Sequence, residues 1–157
     1  MPSSMGRGGL ELPNASGMTI IIAEDDPNDR DMIQGALREC RIEKPVVFLR
    51  DGEELLEYLQ RSGPYADLAG VPLRGLVLLD LNMPRKDGRE ALADIKGDPA
   101  LRHLPVVVLS TSHSPDDIAM CYAVGANSFV GKPETYEDML ALWQSIDRYW
   151  LQTVACP

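Results

Sequence analysis

The 157-residue chain has few of the residues that hold disulfide-rich or zinc-binding proteins together. Its three cysteines, Cys40, Cys121 and Cys156, are widely spaced and form no CxxC pair. This spacing argues against a disulfide framework and a zinc site, and we interpret the thiols as buried or incidental. The two histidines, His103 and His113, stand alone in loop-like segments. They predict no metal cluster.

Long apolar runs and clustered cations are also missing. No segment reaches the about 20 consecutive apolar residues of a membrane span, and none has the apolar core of a signal peptide. We therefore expect a cytoplasmic protein that does not enter a membrane. The net charge is −9, whereas nucleic-acid binding requires cations gathered on one face. Proteins and metal ions are the expected partners, and nucleic acid is not.

The length is that of one domain with a substantial core. Residues 1–17 are rich in glycine, serine, proline and asparagine without apolar periodicity, which predicts a disordered leader. We expect residues 18–154 to form the folded domain and no output domain to follow it.

Short apolar runs alternate with helical patterns along the rest of the chain. Strands are predicted at 18–23, 46–49, 75–80, 106–110 and 127–131. Helices are predicted at 27–41, 52–61, 88–96, 115–125 and 134–152, and a loop at 63–74. This alternation is typical of βαβ units. It predicts an α/β fold of the flavodoxin-like type, a doubly wound (βα)5 sandwich whose five parallel strands lie in the order 2-1-3-4-5.

Two helix starts carry clear capping signals. Asp51 followed by Glu54 has the pattern of a capping box, and Ser114 before Pro115 is typical of an N-cap and first-turn proline.

Charged or hydroxyl side chains stand at the ends of four of the predicted strands. Glu24 and Asp25 follow the first, Asp80 ends the third, Ser110 ends the fourth and Lys132 follows the fifth. The carboxyl ends of parallel strands share one edge of a sheet, so we expect these groups to converge there.

Three carboxylates brought together repel one another unless a cation lies between them. Mg²⁺ prefers hard oxygen ligands and keeps several waters. We therefore expect Glu24, Asp25 and Asp80 to hold Mg²⁺ with the main-chain carbonyl of Asn82.

An aspartate beside such a metal can attack a phosphoryl group and form an acyl phosphate. In this interpretation Asp80 is the nucleophile, Lys132 supplies a positive charge and Ser110 donates its hydroxyl to a phosphoryl oxygen. Asp26 and Asp29 are interpreted as first-turn residues that favour the positive end of a helix dipole, and not as ligands.

These residues resemble, in order and spacing, the receiver domains of bacterial two-component response regulators over residues 18–150. The resemblance is carried by the following positions: Glu24-Asp25, Asp80 with Asn82-Met83-Pro84, Asp87-Gly88, Ser110, Phe129 and Lys132-Pro133. It implies that Asp80 is the phosphoacceptor and that Ser110 and Phe129 form a coupled switch. It also implies a response regulator that catalyses only its own phosphorylation and dephosphorylation and is otherwise not an enzyme.

The finer pattern around Asp80 and the aromatic last helix look like the single-domain regulators paired with bacterial and cyanobacterial phytochrome kinases. That likeness implies a light-regulated sensor histidine kinase upstream, of the bacteriophytochrome type, and a downstream effector. The stripe on the last helix comprises Met139, Leu142, Trp143, Ile146, Tyr149 and Trp150. Because a single sheet face seldom buries so many large side chains, we expect a homodimer through the fourth helix, fifth strand and fifth helix.

Two departures from the commonest receiver pattern concern the site. Thr111 stands where receivers usually carry a smaller residue, and its bulk is expected to slow hydrolysis of the acyl phosphate. Ser110 stands in place of the commoner threonine, which leaves its hydroxyl freer to change rotamer.

Three alternative functions would each require different residues. A phosphatase of the haloacid dehalogenase type would need a second aspartate as general acid where Asn82 stands. An FMN-binding module would need a phosphate-binding loop after the first strand, where Glu24-Asp25-Asp26 would repel phosphate. A pseudo-receiver that binds partners without phosphorylation needs none of the chemistry and remains the main alternative.

Overall fold

The computed structural model describes residues 17–153. Residues 1–16 of the predicted leader, residue 154 of the predicted domain and Cys156 lie outside the described residues. The strands are β1 (Thr19–Ala23), β2 (Val46–Leu49), β3 (Gly75–Asp80), β4 (Val106–Ser110) and β5 (Ser128–Gly131). The helices are α1 (Pro27–Glu39), α2 (Gly52–Gln60), α3 (Gly88–Gly97), α4 (Pro115–Val124) and α5 (Tyr136–Ile146).

The five strands form one parallel sheet in the order β2-β1-β3-β4-β5. The predicted flavodoxin-like fold is therefore confirmed. All six residues of β3 are buried, as expected for a central parallel strand covered on both faces. In the register, Asp80 lies opposite Leu109, and Ser110 lies opposite Gly131.

Each face of the sheet carries its own apolar core. On one face α2, α3 and α4 pack over the odd-numbered residues of β3, including Val77 and Leu79. On the other face α1 and α5 cover Leu76 and Leu78, and the fully buried Trp143 fills this side. The alternation of side chains along a strand thus gives a three-layer sandwich.

The helix starts are fixed by side-chain caps. The Ser114 hydroxyl accepts the N–H of Asp117, as predicted. The capping box predicted at Asp51 is half wrong: Asp51 accepts the N–H of Glu54 at 2.8 Å, but the Glu54 carboxylate accepts the N–H of Arg50. Glu54 reaches one residue further back because it also pairs with the Arg50 guanidinium.

Two segments differ from the sequence prediction. The predicted loop at 63–74 contains a 3₁₀-helix, Gly63–Leu68, which packs on α2 through an edge-on contact of Tyr65 with Tyr58 at 5.3 Å. The predicted last helix is α-helical only to Ile146 and continues as a π-helix, Asp147–Thr153. No proline or glycine marks this change, and the apolar period does not distinguish the two helix types.

Within residues 17–153, no helix is both long and apolar enough to cross a membrane.

Candidate functional site

A cleft of about 330 Å³ opens at the carboxyl edge of the sheet, beside the ends of β1 and β3. It is lined by Glu24, Asp25, Asp26, Pro27, Asp80, Asn82, Thr111 and Lys132. The predicted ligands and the predicted lysine therefore line one cleft, although they come from segments more than 100 residues apart.

Backbone contacts fix the two acidic strand ends. The N–H of Glu24 donates to the carbonyl of Leu49 at 2.9 Å, which extends the pairing of β1 and β2 by one residue. Beyond β3, the N–H of Gly88 donates to the carbonyl of Leu81 at 2.9 Å. A Cβ atom at Gly88 would collide with the main-chain carbonyl of Asp80. Glycine at this position thus lets the start of α3 close on the strand end that carries Asp80.

Glu24, Asp25 and Asp80 form an acidic cluster. One carboxylate oxygen from each lies within 4.8 Å of the others. Asp25 is exposed, whereas Glu24 and Asp80 are buried. Burial raises the pKa of Glu24 to about 7, against the hydrogen bond from Lys132. Burial also raises the pKa of Asp80, which Lys132 and the N–H of Asn82 partly offset.

The donor set of this cluster fits a divalent metal ion. Clustered carboxylate oxygens are the ligands that Mg²⁺ and Mn²⁺ prefer. Crowding and desolvation raise the free energy of the charged carboxylates, and a cation between them would lower it. Asn82 lines the same cleft, and its N–H donates to Asp80 Oδ1 at 3.2 Å. The role of its carbonyl as a ligand stays a prediction.

Lys132 lies among carboxylates. Its Nζ is 2.8 Å from Glu24 Oε1, 2.8 Å from Asp29 Oδ2 and 3.2 Å from Asp80 Oδ2. Burial disfavours the charge of the ammonium, but the hydrogen bonds to Asp29 and Glu24 outweigh it and raise the pKa of Lys132. The lysine is therefore held charged beside the acidic cluster.

Asp29 is the site residue that the sequence interpretation missed. It lies in the first turn of α1, as predicted, but its carboxylate also binds Lys132. The helical pattern placed Asp29 near the helix start without showing that this turn faces the end of β5. The spacing of the sequence gives no signal for this contact, because Asp25 precedes the N-cap Asp26 and the contact depends on how α1 approaches the end of β5.

Ser110 is buried at the end of β4, and its carbonyl accepts the N–H of Lys132 at 2.9 Å. Its hydroxyl does not line the cleft; the Oγ accepts the N–H of Ser112 at 3.0 Å, in the loop before α4. Because the Oγ acts only as an acceptor in this hydrogen bond, its own O–H can donate to another group.

Phe129 is half-buried and packs against the core beneath α2, α3 and α4. It lies opposite Val108, two residues before the pair Ser110–Gly131, so Phe129 and Ser110 project from the same face of the sheet. The N–H of Phe129 donates to the hydroxyl of Tyr122 on α4 at 3.1 Å. The two predicted switch residues are thus near neighbours, and each contacts α4 or the loop before it.

Comparison with known proteins gives a family match. Residues 20–144 match the family model described as the response regulator receiver domain. The response regulator Rcp1 of a Synechocystis species is 40% identical over 138 residues, which cover 88% of this chain and 92% of Rcp1.

Two solved structures are similar over nearly their whole length. The Mn²⁺-bound form of Rcp1 has a TM-score of 0.81 and 39% identity, covering 89% of this chain and 99% of that one. The phosphorylated cyanobacterial phytochrome response regulator RcpA has a TM-score of 0.83 and 40% identity, covering 90% of this chain and 99% of that one.

Proposed function

This chain belongs to the family of response regulator receiver domains, and from that premise we propose that it is switched by phosphorylation of Asp80. The observation that carries the proposal is the placement of a buried aspartate within hydrogen-bond distance of a partly buried lysine, beside two further carboxylates. A receiver acts as a signalling module, and the reaction it catalyses is on its own side chain.

The reaction is a transfer from a phosphohistidine. A carboxylate oxygen of Asp80 attacks phosphorus, the P–N bond breaks, and its electron pair stays on the imidazole, which leaves as the neutral ring once it carries one proton. Asp80 becomes an acyl phosphate. Later attack of water on phosphorus breaks the new P–O bond and returns the carboxylate with inorganic phosphate and a proton.

The residues around Asp80 have separate roles in this proposal. Lys132 donates to a phosphoryl oxygen in place of Asp80 Oδ2, and Ser110 turns from Ser112 to donate to another. Held by Glu24, Asp25, Asp80 and the Asn82 carbonyl, Mg²⁺ would neutralise charge on the transferring oxygens. The existence of a Mn²⁺-bound form of Rcp1 supports binding of a divalent ion, and the acidic cluster is where this chain would hold it.

We assign the phosphodonor to a sensor histidine kinase of the phytochrome type, because RcpA is a phytochrome response regulator and a phosphorylated one. Turning of Ser110 would open space beside Phe129, and the surface formed by α4, β5 and α5 would repack for a partner. A groove of about 550 Å³ lies along β5 and α5, with His113 of the loop before α4 at its side, and it is the proposed contact for a second copy of this chain.

The experiment that tests the chemistry is phosphorylation by acetyl phosphate with Mg²⁺, followed by intact mass. The wild type is expected to gain one phosphoryl group, and Asp80→Asn is expected to gain none. Asp67→Asn is the control, because Asp67 is an exposed aspartate in the 3₁₀ segment. It is expected to gain as much phosphoryl group as the wild type. Light scattering before and after beryllofluoride, an acyl-phosphate mimic, then tests the homodimer. A wild type that gains no phosphoryl group and does not respond to beryllofluoride would make the pseudo-receiver the better description.

A further inference from the structure

The ammonium group of Lys132 has three carboxylate partners, which is one for each of its N–H donors. Two of the three, Glu24 and Asp80, also belong to the acidic cluster proposed to hold a metal ion. The third, Asp29, does not belong to it. Asp29 is thus the one partner whose bond to Lys132 does not compete with the other proposed roles of the site.

We infer that Asp29 is a positioning residue for Lys132, and this inference rests on the proposed function. Asp29 anchors one N–H of the ammonium, and Glu24 anchors a second, each at 2.8 Å. The third N–H is thereby aimed at Asp80, 3.2 Å away, where a phosphoryl oxygen would take the place of the carboxylate oxygen.

The position of Asp29 is itself well fixed. Its backbone N–H donates to the carboxylate of Asp26, which caps α1, so the residue is held in the first helical turn. The Asp29 side chain is 22% exposed, against 2% for Glu24 and 6% for Asp80. A partner outside the acidic cluster can hold the lysine without being desolvated as strongly as Glu24 and Asp80.

The lysine needs such an anchor because its stem is long and flexible. Four methylene groups separate Nζ from the backbone, and an ammonium is a point charge without a fixed direction of its own. Without Asp29, the freed N–H would turn toward Glu24 and Asp80. Lys132 would then occupy carboxylate oxygens on which both the metal ion and the phosphoryl group depend.

Two substitutions at Asp29 separate the contact from the charge. Asp29→Ala removes the charge and the acceptor, whereas Asp29→Asn removes the same charge and keeps an oxygen that can accept from Lys132. Asp31→Ala is the control for charge on α1, because Asp31 is exposed on the same helix. Urea unfolding of each variant identifies any general loss of folding.

The first measurement is made without metal, on protein labelled with ¹⁵N-lysine. The chain has four lysines, Lys44, Lys86, Lys96 and Lys132, so the side-chain ammonium signals can be resolved, and Lys132→Arg identifies the relevant one. The Lys132 ammonium protons are expected to exchange with water about tenfold faster in Asp29→Ala than in the wild type, because a hydrogen-bonded group exchanges only when it opens.

The second measurement is the affinity for beryllofluoride at saturating Mg²⁺, with Mg²⁺ affinity alone measured by calorimetry. Loss of an outer partner of a site residue typically costs about 10–100-fold in affinity, so we expect Asp29→Ala to bind beryllofluoride about tenfold more weakly than Asp29→Asn. The Asp31→Ala variant is expected to match the wild type.

The outcomes separate this inference from the proposed function. If the wild type binds no beryllofluoride, the proposed function fails, and the exchange of the Lys132 ammonium protons still decides whether Asp29 holds the lysine. If the wild type binds and Asp29→Ala equals Asp31→Ala in both measurements, the positioning role is overturned while the proposed function stands. Equal weakening in Asp29→Ala and Asp29→Asn would overturn it too, since charge alone would then explain the effect.

Discussion

Arg89 on α3 holds Asp117 on α4 through two hydrogen bonds, from Nε to Oδ1 at 3.0 Å and from Nη2 to Oδ2 at 2.9 Å. Such paired contacts fix direction as well as distance. The same carboxylate accepts from the Ser112 hydroxyl at 2.8 Å. The N–H of Ser112 in turn donates to the Ser110 hydroxyl. A continuous series of hydrogen bonds thus links the proposed switch hydroxyl to the facing helices α3 and α4.

Removing the Asp117 charge should loosen this series without unfolding the protein. We expect Asp117→Asn to speed amide hydrogen exchange in the loop before α4 and in its first turn by about threefold to tenfold, since local opening there becomes easier. Mass spectrometry of exchanged peptides would measure the change. Asp116→Asn is the control, because Asp116 is an exposed residue of the same first turn. Equal exchange in the two variants would contradict a role for the Arg89 pair.

The fold could be predicted because its signals are local. Apolar runs such as Ile20–Ile22 and the N-cap at Ser114 report on their own elements, and topology rules then restrict how parallel strands connect. The π-helical segment after Ile146 was not predictable in this way, since no helix-breaking residue precedes it.

The site was predictable as a set of residues and less so as a set of contacts. Strand ends placed Glu24, Asp80 and Lys132 at one edge, because parallel strands share that edge. The contact of Asp29 with Lys132 and the direction of the Ser110 hydroxyl depend on rotamers and on the approach of α1 to β5. The spacing of residues along the sequence predicts neither of them.

The stability of the metal-free protein should fall as pH rises through the titration of Glu24. Burial raises the pKa of Glu24 from an ordinary 4.5 to about 7. The folded state therefore holds this proton more tightly than the unfolded state. The resulting stabilisation is complete below about pH 4.5 and is lost as pH rises through 7, and the raised pKa of Asp80 acts in the same direction.

With divalent ions chelated, we expect the free energy of unfolding to decrease by about 1 kcal/mol between about pH 6 and pH 8. Urea titrations at the two pH values measure it. Glu24→Gln should flatten this dependence, whereas Glu43→Gln, at an exposed position, should leave it unchanged. A Glu24→Gln variant with the wild-type slope would show that another group is responsible.

The lifetime of the acyl phosphate should depend on the bulk of Thr111. This residue is exposed at the rim of the cleft that contains Asp80, where it can restrict the approach of water. We expect Thr111→Ala to lose its phosphoryl group about threefold to tenfold faster than the wild type, because excluding water protects a reactive intermediate. Phosphate release after removal of the phosphodonor gives the rate.

Thr111→Val tests whether bulk is the cause, since valine keeps the branched shape and loses the hydroxyl. A lifetime near that of the wild type is expected. If Thr111→Val instead loses phosphate as fast as Thr111→Ala, the hydroxyl and not the bulk protects the acyl phosphate.

The hydroxyl of Tyr122 links α4 to the edge strand β5 by a hydrogen bond at Phe129, the proposed switch residue. β5 is the last strand of the sheet, and the N–H of Phe129 is satisfied by Tyr122 at 3.1 Å. Tyr122→Phe removes the acceptor and keeps the ring. Because a hydrogen bond of this kind contributes about 1 kcal/mol, we expect the Phe129 amide to exchange about fivefold faster in the variant.

NMR that resolves single amides would measure the exchange rate at Phe129. Tyr149→Phe is the control, because the exposed fraction of Tyr149, 54%, is close to the 50% of Tyr122. A partner strand could not add to β5 at Phe129 while Tyr122 occupies its N–H, so the bond also protects an open sheet edge. If beryllofluoride turns Ser110 and moves Phe129, the wild-type amide should become less protected, and Tyr122→Phe should show little further change. If the Phe129 amide is equally protected in the wild type, Tyr122→Phe and Tyr149→Phe, the Tyr122 hydrogen bond does not shield the sheet edge. If beryllofluoride leaves the protection of this amide in the wild type unchanged, the hydrogen bond does not respond to the site.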